Sequence, residues 1–401
     1  MSETMNAWHK YIAPLLAVGF LVVAPQAHAV ESEAPPAWQG VWHGTIGKAE
    51  VQACLQHEDY DDFGAYYYMR HLAIISLDTV ASDAPADALP VWTESPNSAQ
   101  PEKSDLWHLT SVTGDHVQGL WTGGGKTLPI DLTRVAMTAT DGENGPCGSQ
   151  AFSLPRFTKP VITTEPAALD GVAYTRIIAN PGQQFSDSAI ETFQLQGSTP
   201  AIQHVNAELY KTIPTGPDDA EYFQCSMAAL GQNSWDGDSS STRRPLVISK
   251  SWLVVQEDGS WNCGGAHPDA ATTYQTWDLG TGTTVNLYDW FNAQALEQTV
   301  HDAGTTDAYT TVTLTAPFKK MIDDAYPNYD DDADCKEARQ DADAWNVHLT
   351  STGVDFTPDL PHAAQACVDD AILPFARLEP YLSPAGKAGV ASFTAEVLSS
   401  R

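Results

Sequence analysis

Basic residues are scarce in this chain. Lys and Arg number 20 against 51 Asp and Glu, a formal charge of −31 over 401 residues. A polyanion would be repelled by such a surface rather than exchange its counterions for protein cations, so nucleic-acid binding is excluded. Long hydrophobic runs are also missing beyond the first thirty residues, because Asp, Gly, Pro or Thr interrupts every later one. A helical membrane span needs roughly 20 apolar residues, so an integral membrane protein is excluded as well. The sequence contains no C-x-x-C, G-x-S-x-G, S-x-x-K or H-E-x-x-H. With them go a redox pair, a zinc knuckle, a serine nucleophile elbow and a zincin site. No catalytic residue, metal ligand or cofactor is assigned.

What the chain does carry begins with a leader. His9 and Lys10 precede an apolar run from Ile12 to Ala24, and Ala27-His28-Ala29 gives the small-x-small pattern of a signal-peptidase site. Residues 1–29 are therefore expected to be an export signal, with a periplasmic or secreted bacterial product beginning near Val30. Cleavage removes Glu3 and Lys10 and leaves the charge unchanged. All six cysteines, Cys54, Cys147, Cys225, Cys263, Cys335 and Cys367, follow the leader. An even number in an exported chain implies disulfides, and six cysteines allow fifteen complete pairings. The simplest is sequential: 54 with 147, 225 with 263, and 335 with 367.

The remaining length of roughly 370 residues predicts two domains. Residues 30–140 hold short alternating runs (WHGTIG, VQACLQ, AYYYMR, AIISL, LWHLTSV, HVQGLWTG, TLPIDLTRV) bounded by Gly, Asp or Pro, the pattern of an antiparallel β meander or small barrel. Gly64 and Gly119, each just ahead of an aromatic strand segment, mark bulges or bends. Residues 141–168 lack either periodicity and read as a linker, and Gly231–Thr242 reads as a long loop. Residues 169–401 mix the two periods: helices at 202–210, 287–291, 316–325 and 335–341, strands at 246–256, 272–278, 346–349 and 354–357. The fold class is α+β, a β meander or barrel followed by an α+β domain with an antiparallel sheet.

Three blocks then stand in order: Gly264-Gly265-Ala266-His267-Pro268; Trp277-Asp278-Leu279-x-Thr281-Gly282 with Leu287-Tyr288-Asp289-Trp290-Phe291; and Gly353-Val354-Asp355-Phe356-Thr357-Pro358 with Ile372-Leu373-Pro374-Phe375-x-x-Leu378-x-Pro380-Tyr381-Leu382. Over residues 168–382 this resembles the C-terminal domain of lysozyme-sensing anti-sigma factors of the RsiV type, which also accompanies some peptidoglycan deacetylases. The resemblance implies an extracytoplasmic α+β domain and, for one branch, lysozyme binding; it implies no catalysis. The anti-sigma segment, membrane helix and deacetylase domain of those proteins have no counterpart here. The N-terminal part resembles small β modules of uncharacterised envelope proteins in which G-x-Y-Y-Y follows W-x-G-x-I-G.

Several groups are candidates for a site. Gly264 and Gly265 would expose backbone N–H groups and His267 a switchable donor; the simpler role is a strained turn. Three consecutive tyrosines place at least one on the outer side of a strand, so Tyr67, with Trp121, is a candidate stacking surface. The simpler role is barrel core. Gly123-Gly124-Gly125-Lys126-Thr127 lacks the strand-to-helix step of a phosphate loop and reads as a hairpin. Asp330, Asp332 and Asp334, with Asp341, fail the EF-hand pattern because Cys335 stands where glycine is needed. His43, His57, His71, His108 and His116 have no ligand spacing.

These observations predict an exported, acidic envelope protein that binds without catalysis. Its partner is expected to be a basic protein such as lysozyme, drawn in by charge, or cell-wall peptidoglycan. The binding candidates are Gly264, Gly265, His267, Asp278, Tyr67 and Trp121. One alternative is a wall hydrolase using carboxylates such as Asp269, Asp278 or Asp289. Another is a structural module.

Overall fold

In the computed structural model the structure describes residues 34–397 apart from 59–60, 81–88, 95–104, 139–143, 302–308 and 327–332. The leader, Asp330 and Asp332 lie outside the described residues. From Pro36 onward the chain is one compact unit, and no helix among the described residues is long and apolar enough to cross a membrane.

The expected meander closes on itself. Strands β1 (Gly40–Ile46), β2 (Ala49–His57), β3 (Asp62–Tyr68), β4 (Ile75–Thr79), β5 (Val91–Glu94), β6 (Leu106–Val112), β7 (His116–Gly123) and β8 (Lys126–Arg134) pair in sequence order, and β8 pairs back onto β1. Closure leaves no free sheet edge. The Gly-rich string is the β7–β8 hairpin: Gly124 and Gly125 take φ of 54° and 73°, as a two-residue turn matched to strand twist requires. Gly64 sits in an unbroken register, whereas Gly119 lies beside an irregularity between Leu109 and Ser111. At both, a Cβ would come within 2.6 Å of the facing strand's carbonyl oxygen. Close strand approach is therefore the property both glycines share. Inside the barrel, Trp42, Trp92, Trp107 and Tyr66 are wholly buried with Leu55, Leu77 and Leu132, each large side chain contributing roughly 1.5–3 kcal/mol of apolar burial.

The segment read as a linker is instead a packed wedge. Ser149 caps α1 (Gln150–Ser153) by accepting from the Phe152 N–H, and Cys147, Phe152 and Arg156 are fully buried. Phe152 and Cys147 cover Val41, Phe63 and Tyr67 on the outer face of β1–β3, together with Leu230. Its last residues enter β9 (Val161–Leu169) of the following sheet.

That sheet has seven strands. β10 (Val172–Asn180) follows β9 through Asp170 and Gly171, with φ of 48° and 83°. β11 (Ile190–Leu195) is then followed by α2 (Pro200–Tyr210) and α3 (Glu221–Leu230). Strands β12 (Asp238–Ile248), β13 (Trp252–Asn262), β14 (Asp269–Asp278) and β15 (Thr283–Val285) complete the order 15-14-13-12-11-10-9. All pairs are antiparallel except β11 with β12, which run parallel. The two intervening helices make this possible, since a parallel return needs a crossover. Asp238–Thr242, expected in a loop, is the start of β12. The single strand expected over 246–256 is a hairpin turning at Ser249–Ser251. The turn inverts the alternation: Val247 joins Trp252 and Val254 on one face, while Ile248 joins Leu253 and Val255 on the other.

The remainder packs on the first of those faces: the ribbon β16 (Leu296–His301) and β17 (Tyr309–Leu314), α4 (Ala316–Asp323), α5 (Ala333–Asp341), and the sheet β18 (Trp345–Leu349), β19 (Gly353–Pro358), β20 (Ala371–Pro374). α6 (Phe375–Leu378) and α7 (Pro384–Val397) close the chain. Trp252, Trp290, Phe318, Phe356 and Phe393 form their shared core. The three disulfides have the sequential pairing, Cys54–Cys147, Cys225–Cys263 and Cys335–Cys367, and no cysteine is free.

Candidate functional site

The residues expected to bind are dispersed. Tyr67 is fully buried and donates its hydroxyl to the Phe152 carbonyl at 2.6 Å; the wedge covers the outward face that alternation would otherwise expose. Trp121, half-buried, donates its indole N–H to Glu94 at 2.7 Å. At the β13–β14 turn Gly264 has φ 96°, and a Cβ there would meet the Ala229 Cα at 2.8 Å. Asn233 donates to the Gly264 carbonyl at 3.1 Å, and the Cys225–Cys263 bridge anchors the turn to the middle of α3. Gly265 and His267 are exposed in the same turn. Asp278 accepts from the Gly280 N–H at 2.7 Å and the Thr281 N–H at 3.4 Å, organising the β14–β15 turn. Of the six, only Gly264, Gly265 and His267 are brought together. Asp269 and Asp278 stand at opposite ends of β14, about 30 Å apart at 3.3 Å per residue, far too distant to flank one scissile bond. Of the barrel histidines, His43, His57 and His116 pair with separate carboxylates, Glu50, Asp62 and Asp131.

An open recess lies elsewhere. The halves of β12, β13 and β14 away from the core have half-buried side chains on β12 and β13 and mostly exposed ones on β14, and they face β18 and β19 across a cleft of about 460 Å³. Hydroxyl and amide groups are set among apolar ones on its walls: Ser260, Thr272 and Thr273 with Ala270 and Ala271 on the arm, Asn346 and Gln365 with Pro358 and Val368 opposite, and one carboxylate on each side, Asp258 and Asp359. Asp258 accepts from Gln256 and Thr272, each at 2.8 Å, and Arg244 lies 3.5 Å from its other oxygen. A second recess of about 410 Å³ opens beside it, lined by Tyr274, Tyr288, Thr284 and Trp345; Asn346 lines both.

Behind these recesses sits a titratable group of residues. The Tyr274 ring stacks on His348, with centroids 3.8 Å apart and planes 12° from parallel. His348 and Asp355 are cross-strand partners on β18 and β19, both almost wholly buried, with Nε2 3.8 Å from Oδ2. Asp355 also accepts from the Ala371 N–H at 3.0 Å. Burial, then the charges of Asp370 and Asp369, raises the Asp355 carboxyl to about 7 against two stabilising backbone N–H groups. Burial alone lowers His348 to about 4. Burial, Asp370, Asp355 and Asp258 push Tyr274 up to about 12. The pair is thus held neutral where free side chains would both be charged.

The sign of the pH dependence follows. A carboxyl raised from 3.8 to about 7 contributes stability that is complete below the lower value and lost as pH rises through the higher one. A histidine lowered to about 4 contributes in the opposite sense between 4 and 6.5. Across that window the two offset. Asp355→Asn removes the first alone, so relative to the wild type it should gain about 2–3 kcal/mol between pH 5 and pH 8. Urea midpoints at the two pH values measure this, and an equal difference at both would refute it.

No family model matches the chain. No curated protein matches it either. Among solved structures it is similar to a DUF3298 family protein from Pseudomonas aeruginosa PAO1, with 16% identity and a TM-score of 0.34 over 56% of this chain and 96% of that one. It is likewise similar to a DUF3298 member from Bacteroides fragilis NCTC 9343, with 16% identity and a TM-score of 0.36 over 57% and 94%. At such scores the likeness carries neither the fold assignment nor any function.

The cleft and the His348–Asp355 pair were missed from sequence, although one signal was available. Thr350-Ser351-Thr352-Gly353 is a turn between two alternating runs. Residues equidistant from such a turn face each other across a hairpin, which places position 348 opposite 355. Among the described residues no group of His, Cys, Asp and Glu has the arrangement of a metal site.

Proposed function

We propose that this is an exported binding protein of the bacterial envelope that recognises a basic protein such as lysozyme without catalysis. The observation carrying this reading is the cleft between the β12–β14 arm and the β18–β20 sheet. It is open and carries hydroxyl and amide groups among apolar ones, with an acid on each wall, in a chain of net charge −31. A Lys- or Arg-bearing loop would find carboxylates, hydroxyls and amide oxygens there, and the overall field would raise the encounter rate. Three disulfides fit an oxidising compartment. The His348–Asp355 pair is almost wholly buried, with the Tyr274 ring stacked on His348, which suits support of a wall better than attack on a substrate.

The test is calorimetric titration of the protein with lysozyme at low and moderate salt. The expected result is a complex that weakens with salt and, in Asp258→Asn/Asp359→Asn, is several-fold weaker. Absence of a complex at both salts removes the basic-protein reading. Binding of soluble peptidoglycan fragments in its place would make the ligand a glycan.

A further inference from the structure

Strand β14 runs beside both recesses with one of its edges open. It pairs with β13 along its whole length, but β15 covers its other side only at Thr276, Trp277 and Asp278. From Ala270 to Gln275 no strand among the described residues lies along that side. Half the backbone N–H and C=O groups of such a stretch point away from its single neighbour. Asp269 accepts from the Ala270 N–H at 2.8 Å at one end of the stretch. The recesses follow this edge. Ala270, Ala271, Thr272 and Thr273 line the cleft, and Tyr274, Gln275 and Thr276 line the recess beside it. Successive side chains of a strand point to opposite faces, so an unbroken run of residues borders these recesses only where the space reaches round the strand's edge to its backbone.

Open sheet edges in natural proteins carry charges, prolines or bulges that stop another chain from pairing. The opposite edge of this sheet does so, because β9 has Glu165 and Pro166 at its middle. Between Asp269 and Asp278, β14 reads Ala-Ala-Thr-Thr-Tyr-Gln-Thr-Trp, with no charge, no proline and no break in register against β13. Nothing in it repels a strand. β18, the end strand of its own sheet, borders the second recess through Trp345, Asn346 and Val347, but the Trp345 carbonyl is taken by the Tyr288 hydroxyl at 2.8 Å. It therefore forms the far wall, and β14 is left as the pairing edge. The charges along this slot are mainly acidic. Asp258 and Asp359 stand on the two walls, and Tyr274 feels Asp370, Asp355 and Asp258 more than Arg244. Asp258 is the cross-strand partner of Thr272. On a strand added at the usual spacing, a Lys or Arg opposite Thr272 would start about 10 Å from Asp258, a gap its long side chain can bridge.

We infer that the free edge of β14 between Ala270 and Gln275 takes an extended segment of a basic partner protein by strand addition, with Lys or Arg at alternate positions turned into the cleft toward Asp258 and Asp359. The added strand occupies the lane that β15 leaves after Val285. Main-chain hydrogen bonds supply its affinity, and the alternate side chains supply its selectivity. This rests on the proposed reading of the cleft as the site of a basic partner, and adds the backbone that holds the partner there.

The probe is the peptide acetyl-Lys-Val-Lys-Val-Lys-Val-amide, titrated into the whole chain by calorimetry and followed by hydrogen exchange. Its controls are the same peptide with Glu for Lys, and two isomers of the Lys form N-methylated on one or the other set of alternate amides. The Lys form should bind saturably, and alternate amides between Ala271 and Gln275 should exchange about tenfold more slowly in the complex. The Glu form should not bind. One N-methylated isomer should bind about tenfold more weakly, the equivalent of one lost hydrogen bond, while the other, its methyl groups turned away from β14, keeps its affinity. Four outcomes overturn the inference: no saturable binding of the Lys form, equal binding of the Glu form, equal affinity of the two isomers, or a complex without protection on β14. Lysozyme that binds without protecting β14 also overturns it and leaves the reading of the cleft standing. Failure of that reading has a different signature, in which lysozyme forms no complex while the peptide still protects β14.

Discussion

Arg156→Ala is expected to lower the unfolding free energy by about 3–5 kcal/mol, the usual consequence of leaving one member of a buried ion pair alone. The guanidinium is fully buried, whereas its partner Asp236 keeps about a quarter of its side chain exposed. Arg156 donates to Asp236, to the Ser226 hydroxyl at 3.0 Å and to the Leu72 carbonyl at 3.0 Å. Its Cζ also lies 4.9 Å above the Phe185 ring. These partners belong to different parts of the chain: Leu72 follows β3 of the barrel, Ser226 is on α3, Asp236 precedes β12, and Phe185 follows β10. One side chain therefore clamps the barrel to the seven-stranded sheet, and its loss should also split a single urea transition into two. Arg156→Lys should recover little, because an ammonium cannot reproduce the planar fork or the contact with the ring. A change below 1 kcal/mol in Arg156→Ala would refute this account.

Glu94→Ala is the second large effect, and it acts inside the barrel. One carboxyl oxygen of Glu94 accepts from the Tyr66 hydroxyl at 2.6 Å, the Trp121 N–H at 2.7 Å and the Trp107 N–H at 3.2 Å. Truncation leaves those three donors in an aromatic interior, at about 1–3 kcal/mol for each one that stays unmet. A total near 3–5 kcal/mol is expected, with a red shift of tryptophan fluorescence as water enters. Glu94→Gln keeps the acceptor oxygen and should cost about 1 kcal/mol. Equal losses in the two variants would mean that the acceptor role is not what stabilises the barrel. Burial, with the charge and hydrogen bond of Glu94 added to it, also holds the Tyr66 hydroxyl far above the usual phenol range, so this tyrosine should not titrate below the pH at which the protein unfolds.

Much of the architecture was readable because strands declare themselves locally. The runs around Trp42, Tyr66, Trp107 and Trp121 alternate, and each is closed by turn residues, so a meander followed directly. Helices at Pro200–Tyr210 and Ala316–Asp323 showed the longer period. The hairpin at Ser249–Ser251 carries no Gly, Asn or Pro, and only the polar triplet Ser249-Lys250-Ser251 between two apolar runs marks its turn, so the segment reads as one strand. The wedge at 144–157 was read as a linker because its burial comes from single residues, Cys147, Phe152 and Arg156, without a repeating face.

By itself, the order of residues determined the acid excess, the cysteine set with its simplest pairing, and the two successive kinds of structure. Each follows from composition or from contacts between near neighbours. Only the tertiary structure decided that Tyr67 is covered, that His348 and Asp355 share a buried wall, that Arg156 joins two sheets, and that one edge of β14 stays open beside the cleft. Alternation says that a strand has two faces, but which distant segment covers a face depends on how sheets twist and pack, and no short stretch of chain carries that information.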